Sequence, residues 1–137
     1  MKPELPRRTY DSLRAVAEDF LAKHHPTRLP PVPIEEIADL QFKLHIIPIP
    51  GLLSDQETDG FLSSAMTEIS IDEFVYQNRP ARARFTIAHE LSHIILHRKL
   101  YEGHSFRTTD EWKEFVRSMD EETYGWAEWQ AKTLAGL

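Results

Sequence analysis

The chain has 137 residues, 41% of them hydrophobic and 28% charged, with no cysteine and a formal net charge of −6. This size and composition are typical of one globular domain with its own core, so residues 1–137 are expected to form a single domain. The acidic balance argues against direct nucleic-acid binding, and the lack of cysteine excludes disulfides and thiolate metal ligands. No apolar stretch resembles a transmembrane span or a signal peptide, so a cytoplasmic protein without membrane contact is expected.

The first predicted element is a helix that begins at Thr9–Asp11, after a flexible arm of residues 1–8, and ends at about His24. Apolar residues recur along it with helical spacing, and Pro26 prevents its continuation. His24 and His25 stand at its C-terminus, where the helix dipole favours a cation. We therefore interpret both histidines as surface residues rather than metal ligands.

A second helix and a strand follow. The helix is predicted from Ile34 to Leu40, because Pro33 is favoured in a first turn. Residues 42–47 alternate apolar and polar side chains, as a half-buried strand does, and Pro48 is expected to end that strand. His45 falls on its polar side and is interpreted as solvated.

Two further strands are predicted over residues 60–65 and 67–71, after an acidic loop that begins near residue 50. Their tight connection favours a small antiparallel sheet. The edge of such a sheet can bind an extended peptide by strand addition. The alternative is a sheet with a purely structural role, and the sequence does not distinguish the two.

A long helix is predicted to begin after Pro80 and to run to about Arg98, and it contains the pattern His89-Glu90-x-x-His93. Histidines at i and i+4 lie on one helical face and can bind the same zinc ion, while the glutamate can act as general base on a bound water. Apolar residues cover most of the remaining surface of this helix, which should therefore be buried. The alternative is a pair of core histidines with ordinary hydrogen-bond partners.

Further roles are predicted for two sets of residues, one in ion pairing and one in stabilising an oxyanion. Arg82 and Arg84 are expected to pair with acidic neighbours such as Asp72 or Glu73. A hydrolytic site also needs a donor for the developing oxyanion. The candidates for that donor are Tyr76, Tyr101 and His104.

A catalytic zinc ion usually has three protein ligands. His97 lies about 12 Å along the helix axis from His89, too far for one ion to bind both of them and His93, so it is expected to pack or hydrogen-bond nearby. The third ligand must then come from another element. A short helix is predicted at 110–117 and a last helix from about Asp120 to the C-terminus. The last helix offers the carboxylates of Glu121, Glu122 and Glu128.

The block Arg84–His93, followed by His97 and later by a last-helix block, resembles the ImmA/IrrE family of metallopeptidases. The last-helix block consists of Glu128, Ala131, Leu134 and Ala135. The resemblance implies an α+β, zincin-like fold, with a small antiparallel sheet packed on a bundle of helices around the central motif helix. It also implies a zinc cofactor.

By this resemblance His89, His93 and Glu128 are the zinc ligands and Glu90 is the catalytic base. Some positions depart from the family pattern. Ser92, Lys132 and Leu134 stand where the family usually has Gly, Asn and Phe. Family members also continue beyond the point that corresponds to Leu137, so that extension is absent from this sequence.

The resemblance implies a cytoplasmic endopeptidase, often associated with mobile elements or stress responses. Its expected substrate is a separate helix-turn-helix transcriptional repressor, so the chain itself would contact neither nucleic acid nor membrane. The alternative is a non-catalytic, zinc-containing binding module that sequesters a regulator or a toxin-system partner. Retention of Glu90 favours the enzyme, because a structural zinc site needs no general base.

Overall fold

The computed structural model describes residues 8–27, 32–63, 65–101, 109–118 and 121–136, with only the backbone described at 98–101, 109–110, 112, 115, 118 and 121–124. Nearly all of the predicted N-terminal arm lies outside these ranges. The described residues form an α+β arrangement of helices and one three-stranded sheet. In chain order the elements are α1 (Tyr10–His24), α2 (Ile34–Leu40), β1 (His45–Ile49), α3 (Leu52–Gln56), β2 (Gly60–Leu62), β3 (Glu68–Asp72), α4 (Glu73–Asn78), α5 (Pro80–Tyr101), α6 (Thr109–Ser118) and α7 (Glu121–Gly136).

Helices α1 and α2 have the predicted bounds. Helix α1 begins after Thr9 because a capping box forms there: the Thr9 hydroxyl accepts the Ser12 N–H at 3.1 Å, and the Ser12 hydroxyl accepts the Thr9 N–H at 3.0 Å. Pro33 occupies the N-cap of α2 rather than its first turn. The buried side of α1 packs against α5 and α7 in a small apolar cluster of Leu13, Ala17, Leu96 and Leu134.

His24 and His25, at the C-terminus of α1, are half-buried. The His24 ring centroid lies 4.8 Å from that of Phe20 and 5.3 Å from that of Phe42. Burial, together with the charge of Lys23, lowers the pKa of His24, which favours the neutral ring among these aromatic neighbours. Neither histidine lies in the metal-binding cluster formed by the described residues.

The sheet has the strand order β1-β3-β2 and is mixed. β2 and β3 pair antiparallel, as predicted, with Phe61 opposite Ser70. β1 pairs with β3 in parallel, with Ile46 opposite Ile69, so the prediction of an antiparallel sheet is wrong for this pair. The reason is the path of the chain: β2 runs back after β1, and β3 then runs in the direction of β1.

Strand β1 also continues through Pro48, where the sequence predicted its end. The His45 N–H donates to the Thr67 carbonyl at 2.9 Å, so alternate residues of β1 face β3 and Pro48 faces the outer edge of the sheet. A proline at an outer edge removes no ladder hydrogen bond, which is why the strand tolerates it. The side chain of His45 is exposed, as predicted.

The stretch predicted as an acidic loop contains helix α3, which follows Gly51 in the left-handed conformation, with φ of 74°. The carboxylate of Asp72 accepts the Leu53 N–H at 2.8 Å and the Val75 N–H at 3.0 Å. One buried aspartate therefore fixes the starts of both α3 and α4. The sequence missed these two helices because one or two turns are too short to show the helical repeat.

Helix α5 is the buried centre of the fold, as predicted. Its apolar residues pack against the sheet and the neighbouring helices in the main core cluster; they include Ala83, Ile87, Leu91 and Ile94. The backbone leaves helical geometry at His97, where φ is −126° and ψ is 24°. Among the helices of the described ranges, none combines the length with the apolar content that crossing a bilayer would require.

Arg82 joins the start of α5 to the start of β2, through a different partner from the one expected. Its guanidinium donates to both oxygens of Asp59, at 2.5 and 2.7 Å. Arg82 therefore pairs with an acidic residue, as predicted, but the partner is Asp59 and not Asp72 or Glu73. Asp72 is instead engaged by the backbone N–H groups at the starts of α3 and α4.

Gly60 lets β2 lie directly against α5. A Cβ atom at this position would lie 2.6 Å from the Ser70 carbonyl oxygen and 2.9 Å from Cγ2 of Thr86, closer than real Cβ atoms approach such neighbours. Thr86 is one helical turn before Glu90. The close approach at Gly60 therefore holds the β2 backbone beside the part of α5 that contains the histidine motif.

Candidate metal centre

The candidate site lies between α5 and α7. Helix α5 presents His89 and His93 one turn apart, with ring centroids separated by 5.0 Å. Helix α7 brings Glu128 to them: its Oε2 lies 3.0 Å from His89 Nε2, and its Oε1 lies 3.2 Å from His93 Nε2. One potential ligand atom from each residue lies within 4.8 Å of the others, so these three side chains could hold one metal ion.

The arrangement fits a metal ion better than it fits hydrogen bonding alone. His89 Nε2 is buried and makes no hydrogen bond of acceptable geometry with the described residues, although the Glu128 carboxylate is close. A buried polar atom without a partner is costly. When both imidazoles are neutral, two nitrogen lone pairs and a carboxylate converge, and a cation between them satisfies all three. Two histidines and a carboxylate are a donor set of catalytic zinc sites.

The charges at this cluster are strongly coupled. Burial alone would raise the pKa of Glu128, but the adjacent imidazoles of His89 and His93 hold that pKa far below its ordinary range. Burial alone would lower the pKa of His89, but the neighbouring carboxylates of Glu128 and Glu90 raise it above its ordinary value. Without a metal, a proton on His89 therefore plays part of the role that a cation would play.

Glu90 lies on α5 between the two histidines and is 5% exposed. Burial raises the pKa of its carboxyl group, against the opposing effects of His93, His89 and a hydrogen bond from the Leu62 backbone N–H. A buried carboxylate of raised pKa is suited to take a proton from a nearby water. The contact with Leu62 places β2 at the rim of the candidate site.

His97 does not join the metal-binding cluster and hydrogen-bonds beside it, as predicted. Its Nδ1 lies 2.9 Å from Nδ1 of His93, and its Nε2 lies 2.8 Å from Oε1 of Gln130. Burial, with the charge of His93 acting in the same direction, lowers the pKa of His97 to about 4, so its ring is neutral near pH 7. Gln130 is not among the residues predicted from the sequence, although a polar residue among the apolar positions of the last helix is a signal for such a role.

Of the remaining candidate site residues, Tyr76 has a partner outside the site, and the side chains of the others lie outside the described residues. The Tyr76 phenol donates to the Glu35 carboxylate of α2, so the structure gives it a partner other than a substrate oxyanion. The side chains of Tyr101, Glu121 and Glu122, and all of His104, lie outside the described residues. The choice of Glu128 over the two other glutamates therefore stays a prediction, although Glu128 is the one whose contacts with both histidines are seen.

An apolar pocket of about 280 Å³ opens on a different face of α5. Its wall comes from α1, α5, α7 and the start of α2, and includes Phe20, Arg84, Phe85, Ala88 and Leu134. Phe85 is shared between the two regions, because its ring centroid lies 6.3 Å from that of His89. The metal-binding atoms of His89, His93 and Glu128 are not part of this wall.

Comparison with known proteins gives a family match for the second half of the chain. Residues 74–136 match the family model described as the IrrE N-terminal-like domain, peptidase family M78. The resemblance to the ImmA/IrrE family is thereby confirmed over α4 to α7, which contain His89, Glu90, His93 and Glu128. No curated protein and no solved structure gives a significant match.

Proposed function

From the match of residues 74–136 to a peptidase family, we propose that this protein is a zinc-dependent endopeptidase with a zincin-like active site. The observation that carries the proposal is the convergence of His89, His93 and Glu128, from two different helices, with ligand atoms within 4.8 Å of one another. In this site the three residues hold zinc, and Glu90 is the catalytic base.

Zinc, when bound, lowers the pKa of a coordinated water and polarises the scissile carbonyl. Glu90 then accepts the proton from the attacking water, and its burial favours this role because it raises the affinity of the carboxylate for a proton. The Leu62 N–H favours the charged form of the Glu90 carboxylate. The same Glu90 carboxyl can return the proton to the leaving amine.

The substrate would pass along the rim formed by β2. The Ser63 N–H donates to the Glu68 carbonyl at 2.9 Å, so the backbone groups of Gly60 and Leu62 face the edge of the sheet that points away from β3. Two of these groups already have partners, since the Gly60 carbonyl accepts the Thr58 hydroxyl at 3.2 Å and the Leu62 N–H contacts Glu90. Only a short stretch of peptide can therefore pair with β2, and the proposed metal centre positions most of the substrate.

We propose a helix-turn-helix repressor, encoded separately, as the natural substrate. This follows from the family resemblance and agrees with the acidic net charge of −6, which suits contact with a basic DNA-binding protein better than contact with DNA. A candidate repressor encoded by a neighbouring gene should be incubated with the zinc-loaded protein. Mass spectrometry of the products would locate the cleaved bond.

The first prediction separates chemistry from binding. Glu90→Gln should retain zinc and fold, because Glu90 is not a ligand, but should reduce repressor cleavage by about 100-fold or more. The control is Glu114→Gln, an exposed glutamate that contacts Arg117 on α6, which should cleave as the wild type does.

Undiminished cleavage by Glu90→Gln would remove Glu90 from the mechanism. If the wild-type protein binds zinc and the repressor but leaves the repressor intact, the chain is instead the non-catalytic binding module considered above.

A further inference from the structure

We propose that His97 and Gln130 are positioning residues that fix the protonation pattern of His93, so that its Nε2 presents a lone pair to the metal. The inference rests on the proposed metal centre and gives a role to two residues that do not bind the metal themselves. It concerns where protons reside in a buried chain of hydrogen bonds, from Gln130 through His97 to His93.

The chain of contacts is continuous and sealed from solvent. His93 Nδ1 lies 2.9 Å from His97 Nδ1, and His97 Nε2 lies 2.8 Å from Gln130 Oε1. The three residues are 4%, 2% and 0% exposed, respectively. Because bulk water does not reach these atoms, each nitrogen in the chain must be matched to a protein partner.

Neutral imidazole has one donor nitrogen and one acceptor nitrogen, so only two proton patterns are possible along the chain. If the Gln130 carbonyl oxygen accepts from His97 Nε2–H, then His97 Nδ1 is an acceptor and His93 Nδ1 donates to it. His93 Nε2 then carries a lone pair. If the Gln130 amide group instead donates to His97, every bond reverses and His93 Nε2 carries a proton.

Only the first pattern permits metal binding, because a coordinating imidazole nitrogen must be deprotonated. The structure has the Gln130 carbonyl oxygen, Oε1, towards His97, which is the orientation that this pattern requires. Gln130 and the proposed ligand Glu128 are two residues apart on α7. The packing of this one helix against α5 therefore positions both the carboxylate ligand and the group that fixes the protonation pattern of His93. Outer partners of this kind typically change metal affinity by about 10–100-fold.

The experiment compares Gln130→Met with Gln130→Glu. Methionine has a similar length but lacks the acceptor oxygen, whereas a carboxylate preserves it. Zn²⁺ affinity, measured by competition with a chelator, should fall about 10–100-fold in Gln130→Met and should stay within a few fold of the wild type in Gln130→Glu. The matched control is Leu134→Met, a buried substitution on the same helix, which should keep wild-type affinity. Thermal unfolding of each metal-free variant measures any general damage to the fold.

A second measurement needs no variant. Long-range ¹H–¹⁵N spectra of the zinc-loaded wild type should show His93 protonated at Nδ1 and His97 protonated at Nε2. Protonation of His97 at Nδ1 would overturn the proposal. It would also be overturned if Gln130→Met kept the Zn²⁺ affinity of the wild type, or lost no more affinity than the Leu134→Met control. Failure of the wild type to bind Zn²⁺ would overturn the proposed metal centre and this inference together, whereas the other outcomes would leave that centre intact.

Discussion

His89 and His97 lie two turns apart on one helix, yet their surroundings shift their pKa values in opposite directions. His89 is beside the carboxylates of Glu128 and Glu90, which outweigh its burial and raise its pKa. Burial, together with the charge of His93, lowers the pKa of His97 to about 4. The surroundings therefore favour a protonated imidazole at His89 and a neutral, hydrogen-bonded imidazole at His97.

The raised pKa of His89 predicts how zinc affinity changes with pH. In the metal-free protein His89 keeps its proton to a pH above its ordinary 6.5, and the stabilising contact with Glu128 that this proton supports is lost as the pH rises through the raised value. Zinc and the proton compete for the same nitrogen. Zinc affinity should therefore already fall as the pH is lowered from 8 towards 6.5, as a chelator competition at several pH values would show; a constant affinity down to pH 6 would contradict the assignment of His89.

At the scale of elements, the short strand β2 and the long helix α5 form one unit. The Arg82–Asp59 ion pair joins their starts, and Gly60 allows the β2 backbone to approach the Thr86 side chain of α5. This approach brings the Leu62 N–H to Glu90. An element of three residues therefore contributes to the site through its backbone rather than through its side chains.

Two glycine substitutions test this close approach. Gly60→Ala should destabilise the fold by about 1–3 kcal/mol, because the new methyl group would lie 2.6 Å from the Ser70 carbonyl oxygen, and cleavage should fall as β2 moves away from Glu90. Gly125→Ala on α7 is the control: among the described residues, a Cβ atom there would meet no neighbour within 4 Å, so this substitution should stabilise by about 0.5–1 kcal/mol. Urea unfolding of both variants measures these effects, and equal stability of the two would refute the packing argument.

At the scale of the whole molecule, the candidate site depends on parts of the chain that are distant in sequence. The family match covers residues 74–136, but β2, which reaches Glu90, and α1, which packs on α7, precede that segment. A metal held by α5 and α7 would tie together two helices that the apolar core already joins. Metal binding should therefore stabilise the whole fold rather than a local loop.

Zinc should raise the thermal unfolding temperature of the wild-type protein. Free zinc at 100 times its dissociation constant adds about 2.7 kcal/mol, which corresponds to a shift on the order of 10 °C for a domain of this size. Glu128→Ala should lose most of this shift because it removes a proposed ligand, while Glu114→Ala, on the exposed surface of α6, should keep it. A full shift in Glu128→Ala, measured by calorimetry with and without chelator, would mean that the third ligand is another residue.

The sequence by itself determined those features that depend on neighbouring residues. Thr9 and Ser12 specify the start of α1 through local hydrogen bonds, and the spacing of His89 and His93 specifies one helical face because the helical repeat is fixed. The long apolar pattern of α5 specified its burial. The same local reasoning left Glu121, Glu122 and Glu128 as alternatives until the family resemblance chose among them.

Only the tertiary structure decided which distant groups meet. The parallel pairing of β1 with β3, the Arg82–Asp59 contact, the approach of Glu128 to both histidines and the burial of Gln130 against His97 all depend on how separate elements pack. Such contacts have no local sequence period, because their geometry is set by the shape of the shared core rather than by the spacing of residues along one element.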